Sequence, residues 1–241
     1  MTSTSGGFRS SAARTLLRVT GLSLCIAAIS PPAIAQADAV PGPSISGRTW
    51  CRSPSFVISV VARQIAAAEG SSLSENARSL ALLMMAINDS LIASFYNKYH
   101  YDFWRPVTAI HAGAADGNRK TEGDTTFRPF IPTPCFPGYP SNHASGTNGG
   151  LEMLRRLFGA AGHEITITAT VPPLTTVTPA LPGMTLTRHY TQLKEIADDV
   201  DDARVYGGIH FRFDQRAGNT LGRAVATYVF KNTLRPMNGE E

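Results

Sequence analysis

The 241-residue chain is 43% hydrophobic and 17% charged, which gives it enough apolar material for one well-buried domain and too few charges for a disordered chain. Its formal charge at pH 7 is only +4, and the first 35 residues contribute three arginines and no acidic residue. Without them the formal charge is +1. The composition therefore argues against a nucleic-acid-binding protein.

Residues 1–35 have the pattern of a secretory signal peptide. The three arginines precede or begin an apolar run over residues 19–29, and Ala33-Ile34-Ala35 has the form of an A-x-A cleavage site. The apolar run is too short to span a bilayer permanently. We expect the leader to be removed on export, leaving a periplasmic or secreted protein with no stable membrane span.

Two of the three cysteines lie outside this leader. Cys25 would be removed with it, whereas Cys51 and Cys135 would remain in the exported protein. In an oxidising compartment such a pair is a disulfide candidate, and closing so long a loop would contribute on the order of 4 kcal/mol in the chain-entropy picture. Two free buried thiols are the alternative.

The chain after the leader reads as a single domain. Residues 36–52 are rich in proline and glycine, which predicts an extended lead-in to a domain over residues 53–241. Pro54 has the position of a first helical residue, and Gly70 is placed to end that helix.

A second helix has a clear start and a longer apolar stripe. Ser72-x-x-Glu75 has the form of a capping box, and apolar residues then recur at helical spacing to about Lys98. Residues 111–140 lose this periodicity and contain many prolines, glycines and threonines. A loop of that length inside a compact domain is usually functional.

Three further segments complete the predicted domain. Residues 140–145, Pro-Ser-Asn-His-Ala-Ser, predict a turn into a third helix that ends at Gly159. Residues 163–188 predict a short strand or an extended arm. Helices then begin near Thr191 and at Asp214, so the fold class is all-α, a helical bundle with long loops gathered at one end.

The turn at residues 140–145 also has the chemistry of an anion-binding site. A helix N-terminus offers unpaired backbone N–H groups and the positive end of the helix dipole. His143 in the first helical turn is placed for proton transfer to a bound oxyanion. A simple helix cap formed by Ser141 is the alternative.

Two arginines lie where water is expected to be scarce. Arg204 continues the apolar stripe of its helix, so it requires an anionic partner or a wet cavity. Arg105 follows two aromatic residues, of which Trp104 is the nearer. The alternatives are a buried ion pair of Arg204 with Asp89 or Asp214, and an arginine at position 105 that stacks at the surface.

These residues belong to three short motifs that occur in order over about 117 residues: K-x6-R-P at Lys98 and Arg105, P-S-N-H at residues 140–143, and R-x5-H-x3-D at Arg204, His210 and Asp214. The pattern resembles the superfamily that joins type 2 phosphatidic-acid phosphatases and bacterial acid phosphatases to the vanadium-dependent haloperoxidases. The resemblance implies a helical bundle of the acid phosphatase/vanadium haloperoxidase type.

It also implies a cage for one oxyanion of trigonal-bipyramidal geometry, which bound vanadate shares with phosphoryl transfer. The implied cofactor-binding residues are Lys98, Arg105, Ser141, Asn142, Arg204 and His210. His210 would be the axial ligand of vanadate, and Asp214 would fix its tautomer. His143 would act as acid and base at the opposite apex.

Two positions depart from the usual family pattern. Asn142 stands where the family usually has glycine, and Ala203 where it usually has serine. We expect the backbone N–H of Asn142 to remain available while its side chain narrows the entrance. Ala203 removes a hydroxyl contact near Arg204.

The flanking residues resemble the haloperoxidase branch more than the phosphatases. Phe136 and Trp104 are candidates for the halide side of the site, and Phe136 falls where chloroperoxidase-like members carry an aromatic residue beside the cofactor. Loop packing is the alternative role for Phe136. The resemblance thus implies an exported vanadate-dependent haloperoxidase-like enzyme that oxidises halide with hydrogen peroxide.

Three other functions fit the same residues. One is a metal-independent acid phosphatase without vanadate, in which His210 attacks a phosphomonoester to form a phosphohistidine and His143 protonates the leaving group. Another is a non-catalytic protein that binds phosphate or vanadate. The last is a structural bundle stapled by a disulfide.

Overall fold

The computed structural model describes residues 53–171, 173 and 182–235. These residues form a helical bundle with one small antiparallel sheet, which confirms the predicted all-α class. The elements are α1 Pro54–Ala68, α2 Leu73–Tyr101, α3 Pro106–His111, α4 Asn142–Phe158, β1 Ala161–Val171, β2 Met184–Gln192, α5 Leu193–Tyr206 and α6 Arg212–Asn232. The predicted leader and lead-in lie outside the described residues.

The helix α4 lies at the centre and contacts α1, α2, α5 and α6. It approaches α6 closely because two glycines of α6 face its first turns. A Cβ at Gly222 would lie 2.1 Å from the carbonyl oxygen of Ser145, and one at Gly218 would lie 2.6 Å from that of Ser141. The glycines therefore allow α6 to hold the start of α4, where the predicted anion site lies.

The hydrophobic core lies between α4 and the surrounding helices. Its fully buried members include Ile58 of α1, Leu83 and Ile87 of α2, Leu154 of α4 and Ile196 of α5. Burying such a side chain stabilises the fold by about 1.5–3 kcal/mol relative to leaving it exposed. This packing fixes the helices that carry the predicted site.

The predicted strand is half of a β-hairpin. Strands β1 and β2 pair in antiparallel register, with Ile165 opposite Tyr190. Ile165 and Ile167 are buried in the core, and Gln64 of α1 exchanges two 2.8 Å hydrogen bonds with the backbone of Thr166. The hairpin thus packs on α1 through β1 and contacts α5 through β2.

Several predicted helix ends agree with the structure and others were wrong. Ser72 forms the predicted capping box with Glu75. The second helix extends past Lys98 to Tyr101, because Asp102 in a left-handed conformation ends it. The last helix begins at Arg212 and not at Asp214, because the Asp214 carboxylate caps it from inside the first turn. The short helix α3 was not predicted.

One helical segment of the described residues, Leu73–His111, is long and apolar enough to cross a membrane by length and composition alone. Core helices of soluble proteins meet the same criteria. Here α2 packs against α1, α4 and α6 and buries the charged side chain of Lys98 inside the bundle.

Candidate active site

Lys98 is fully buried near the C-terminal end of α2. Its ammonium nitrogen donates hydrogen bonds to the backbone oxygens of Pro137 and Gly138, both at 2.8 Å. These bonds use two of its three donors. Burial, together with the charge of Arg105, lowers the pKa of Lys98 to about 7. An anion bound beside Lys98 would therefore favour its charged form.

Arg105 is buried at the start of α3, and its guanidinium is held by backbone oxygens. Its Nε donates to Phe136 O at 3.1 Å, and its Nη1 donates to Ile209 O at 2.8 Å. Its Nη2 is buried and has no hydrogen-bond partner among the described residues. An orphaned buried donor is costly, so Nη2 is the atom for which an anionic ligand would be the natural partner.

His210 lies between Arg105 and Asp214. Its Nε2 is 2.9 Å from Arg105 Nη1, and its Nδ1 is 2.9 Å from Asp214 Oδ2. A guanidinium can only donate, so Nε2 is the acceptor, and Nδ1 carries the proton that is donated to Asp214. Burial first, and then the charges of Arg105 and Lys98, lower the pKa of His210 well below its ordinary value. The imidazole is therefore neutral, with a lone pair on Nε2.

Asp214 is fully buried in the first turn of α6. Besides the His210 bond, its Oδ2 accepts a 3.1 Å bond from the backbone N–H of Phe211. Burial raises the pKa of Asp214 to about 7, although the Phe211 bond and the charges of Lys98 and Arg105 oppose this rise. The Asp214 carboxyl group thus sets the orientation of the His210 ring, and its bond to the start of α6 holds the carboxyl group itself in place.

The predicted turn at the start of α4 is confirmed. Ser141 is its N-cap, and the hydroxyl oxygen accepts a 3.3 Å bond from Ala144 N–H. The cap and the anion site are compatible, because a hydroxyl that accepts one bond can still donate its hydrogen. Ser141 N–H donates to Asp214 O at 3.0 Å, which ties this turn to α6. His143 lies in the first turn, and its charge contributes to lowering the pKa of His210.

Asn142 is 9% exposed and turns its side chain toward α2. Its carboxamide oxygen accepts a 2.6 Å hydrogen bond from Ser94 Oγ. The bond to Ser94 holds this side chain between α4 and α2, and the narrowing of the entrance stays a prediction. Its backbone N–H lies in the first turn of α4, where intrahelical acceptors are lacking.

Arg204 is buried near the end of α5, as its position on the apolar stripe predicts. Its charge lowers the pKa values of both His210 and Arg105, so it belongs to the same electrostatic cluster. Ala203 beside it is fully buried. Asp89, one of the acids considered as its partner, is exposed on α2.

The two predicted halide-side residues have different surroundings. The Phe136 ring packs over the cations, with its centroid 5.4 Å from Lys98 Nζ and 5.2 Å from Arg105 Cζ. Phe95 meets the same ring edge-on at 5.3 Å. Trp104 is 42% exposed. Phe136 is therefore part of the wall of the cluster, whereas Trp104 contributes surface next to it.

The disulfide prediction falls partly outside the described residues. Cys135 is exposed, next to Phe136 in the chain. Cys51 lies outside the described residues, so its pairing with Cys135 stays a prediction.

The sequence analysis missed several groups that build the site. The backbone oxygens that hold the two cations belong to Phe136, Pro137, Gly138 and Ile209. Ser94, which bonds Asn142, was also missed. The four-residue spacing of Ser90, Ser94 and Lys98 is a polar stripe on an otherwise apolar helix, and it was the available signal.

The donor set fits an oxyanion. Lys98, Arg105 and Arg204 are buried cationic side chains that act electrostatically on the neutral His210 imidazole, and Arg105 carries the orphaned Nη2 donor. Among the described residues, no group of three or more His, Cys, Asp or Glu side chains is arranged to hold a metal cation. Vanadate is itself an oxyanion, so cationic and N–H donors are the appropriate partners for it.

Fold and site together define a helical-bundle domain with a buried cluster of cationic side chains around His210. The profile of the family described as the VCPO second helical-bundle domain matches residues 78–239, which is well over half of the chain, and the chain belongs to this family. It is similar to the vanadium chloroperoxidase of Curvularia inaequalis, with 28% identity over 182 residues that cover 60% of this chain and 29% of that protein.

Two solved structures share the fold. A bacterial vanadium-dependent iodoperoxidase superimposes with a TM-score of 0.66 and 23% identity, covering 83% of this chain and 46% of its own. The holo form of a bacterial vanadium-dependent chloroperoxidase has a TM-score of 0.62 and 19% identity, with the same coverages. The chain thus spans less than a third of the Curvularia inaequalis protein and less than half of these two chains.

Proposed function

We propose that this protein binds vanadate and oxidises halide with hydrogen peroxide. The observation that carries the proposal is the buried pair of Arg105 and His210. Arg105 offers an unpartnered donor, and His210 offers a neutral Nε2, so the two together suit a ligand that both accepts hydrogen bonds and takes a nitrogen lone pair. Membership of the family and the vanadium-dependent enzymes among its relatives support the same ligand.

The proposed vanadate ligands fall into three chemical groups. Lys98, Arg105 and Arg204 would neutralise its oxygens, and the Ser141 hydroxyl and Asn142 N–H would donate to them. Bound vanadate would activate hydrogen peroxide as a two-electron oxidant of halide. In this proposal the protein side chains bind the anion and do not have to activate a water molecule.

Two contacts prepare His210 for its role. Arg105 Nη1 occupies the Nε2 face in the structure, so His210 would have to give up this hydrogen bond to hold vanadate through Nε2. Ile209 O would keep the guanidinium in place during this change. Asp214 holds the Nδ1 proton, which keeps the Nε2 lone pair directed at the site.

His143 and Phe136 would act on the solvent side. His143 is half-buried at the positive end of α4, where it can exchange protons with both the ligand and water. The Phe136 ring covers the two cations and excludes water from them, which strengthens their interaction with an anion. We assign it to the halide side for this reason.

A phosphatase remains the second candidate, because the neutral Nε2 of His210 is also the form that a nucleophile requires. In that reaction Nε2 would attack the phosphorus of a phosphomonoester, and His143 would protonate the leaving alcohol. The cations would stabilise the same trigonal-bipyramidal charge distribution without vanadate.

Turnover with and without vanadate separates the two candidates. Purified protein with orthovanadate, hydrogen peroxide and bromide should halogenate a phenolic dye, and omission of vanadate should abolish the reaction. Hydrolysis of p-nitrophenyl phosphate without vanadate, together with no halogenation in its presence, would establish the phosphatase instead. Anion binding without either turnover would indicate a binding protein.

A further inference from the structure

Gln215 is a buried polar residue that the proposed mechanism does not use. Its side chain is 0% exposed, directly after Asp214 on α6. Neither its amide nitrogen nor its amide oxygen has a hydrogen-bond partner among the described residues. A buried amide without partners is costly, so both atoms are expected to bond to internal water.

Asp201 of α5 carries a third orphaned atom. Its Oδ2 accepts a 2.7 Å hydrogen bond from Asn219 Nδ2, whereas its buried Oδ1 has no partner among the described residues. Asn219 is one helical turn beyond Gln215 on α6. Arg204 lies one turn beyond Asp201 on α5, toward the short connection that leads to Gln215 in the first turns of α6.

A chain of hydrogen bonds ends on Asp201. Arg223 Nε donates to Asn148 Oδ1 at 3.3 Å, and Asn148 Nδ2 donates to Asn219 Oδ1 at 2.6 Å. Asn219 then donates to Asp201. Each of these three hydrogen bonds is donated in the direction of the Asp201 carboxyl group. The series of hydrogen bonds therefore stabilises the ionised form of Asp201.

The other charged groups around Asp201 partly offset one another. Asp198 and Asp202 of its own helix oppose its ionisation, and Arg212 of α6 favours it. Burial has the largest effect and raises the pKa of Asp201 to about 6. The residue is only partly buried, so its proton can also exchange with bulk water.

We propose that Asp201 supplies protons to the oxyanion site from inside the bundle, through water that the Gln215 amide holds between α5 and α6. The inference rests on the proposed halide oxidation, which takes up one proton. Halide loses two electrons, the O–O bond of hydrogen peroxide breaks, one oxygen forms hypohalous acid and the other leaves as water. The proton passes from Asp201 Oδ1 along the water to the site, and bulk solvent reprotonates Asp201.

A crystal structure of the full chain tests the path without turnover. We expect ordered water bonded to both the Gln215 amide and Asp201 Oδ1, and the loss of that water in Gln215→Met, a substitution of similar length. Protein groups that satisfy both side chains, with no water between them, would overturn the proposal whether or not the protein oxidises halide.

Kinetics test the role of the path. With vanadate, the wild-type kcat for bromide oxidation should fall as pH rises through about 6, the pKa of Asp201. Below that pH, Asp201→Asn and Gln215→Met should each lower kcat by roughly 10²-fold, the low end for a positioned acid. The matched control, Asp89→Asn on the exposed face of α2, should keep the wild-type profile, and equal profiles for the Asp201 and Asp89 variants would refute the proposal.

Discussion

Among the individual side chains, Arg105 has two tasks that a lysine could not combine. Its planar guanidinium bonds two backbone oxygens and His210 while it presents Nη2 to the site. Arg105→Lys keeps the charge but loses this fork. We expect kcat for bromide oxidation to fall about 10²–10³-fold, as for loss of one oxyanion donor.

The control for Arg105 is Arg128→Lys. Arg128 also donates to backbone oxygens, those of Thr125 and Phe127, but it is exposed. It should retain wild-type kcat. Equal activity of the two variants would show that the geometry of Arg105 has no role in turnover.

His210→Ala should reduce vanadate-dependent halogenation to the background without vanadate, because no other described nitrogen is bonded to both Arg105 and Asp214. The dye assay and vanadate titration by calorimetry measure the effect. His189→Ala is the control, since His189 is exposed on the hairpin and bonds only to Thr166 in the described residues. An active His210 variant would remove the residue from the axial position.

Lys98 should make anion affinity depend on pH. Its pKa in the folded protein is lowered from 10.5 to about 7, so it is charged below about 7 and becomes neutral above. A bound anion favours the charged form, so sulfate affinity should fall as pH rises through 7, by up to about tenfold per pH unit. Asp214, with a pKa of about 7, becomes negatively charged over the same range and repels the anion, so it makes the fall in sulfate affinity with pH steeper.

Lys98→Met isolates the lysine, because Asp214 remains in that variant. Calorimetric titration with sulfate, whose own charge is constant in this range, should give a shallower slope for the variant. Parallel slopes would mean that Lys98 stays charged throughout.

The sequence motifs identified the charged residues of the cluster because their spacing is local. They could not identify Ser94 as the partner of Asn142, 48 positions away, or the carbonyl of Ile209, 104 positions from Arg105. Such contacts depend on how the helices pack. Gln215 was missed for the same reason, since nothing in its local sequence indicates burial.

At the level of helices, the pairing of α4 with α6 positions the start of α4. The Ser141 turn is bonded to α6 through Asp214, and Gly218 and Gly222 allow the close approach. The facing glycines of α6 become meaningful only once the two helices are paired, so the sequence alone did not reveal this contact.

Gly222→Ala tests this pairing. The added Cβ would lie 2.1 Å from Ser145 O and 2.7 Å from Gly149 N, so the helices must separate. We expect a loss of about 1–3 kcal/mol in the free energy of unfolding, measured by urea denaturation. Thr220→Ala on the exposed face of α6 should change it by less than about 0.5 kcal/mol. Equal stability of both variants would contradict the close approach.

Helix boundaries were predicted correctly where local chemistry sets them, and they were displaced at the end of α2 and the start of α6. Ser72 and Pro54 begin helices through local chemistry that is readable in the sequence. The end of α2 depends on Asp102 adopting a left-handed conformation, which its residue type permits but does not require. The helix α6 begins at Arg212 and not at the predicted Asp214, because the Asp214 carboxylate bonds both the backbone N–H of Phe211 and the His210 ring.

For the whole molecule, we propose that the protein acts outside the cytoplasm after removal of residues 1–35. N-terminal sequencing of exported protein should then begin at Gln36. Mass analysis under non-reducing conditions should find Cys51 linked to Cys135. Retention of the first 35 residues on the exported protein would contradict the signal peptide, and two alkylated cysteines would contradict the disulfide.

For the whole bundle, we propose that it brings residues of α2, α3, α4 and α5, together with His210, to one oxyanion. A crystal structure grown with orthovanadate, with vanadium located by its anomalous scattering, tests it most directly. We predict vanadium beside Nε2 of His210, with Arg105 Nη1 moved from that nitrogen to a vanadate oxygen. Vanadium bound elsewhere, with the Arg105–His210 hydrogen bond intact, would contradict the account.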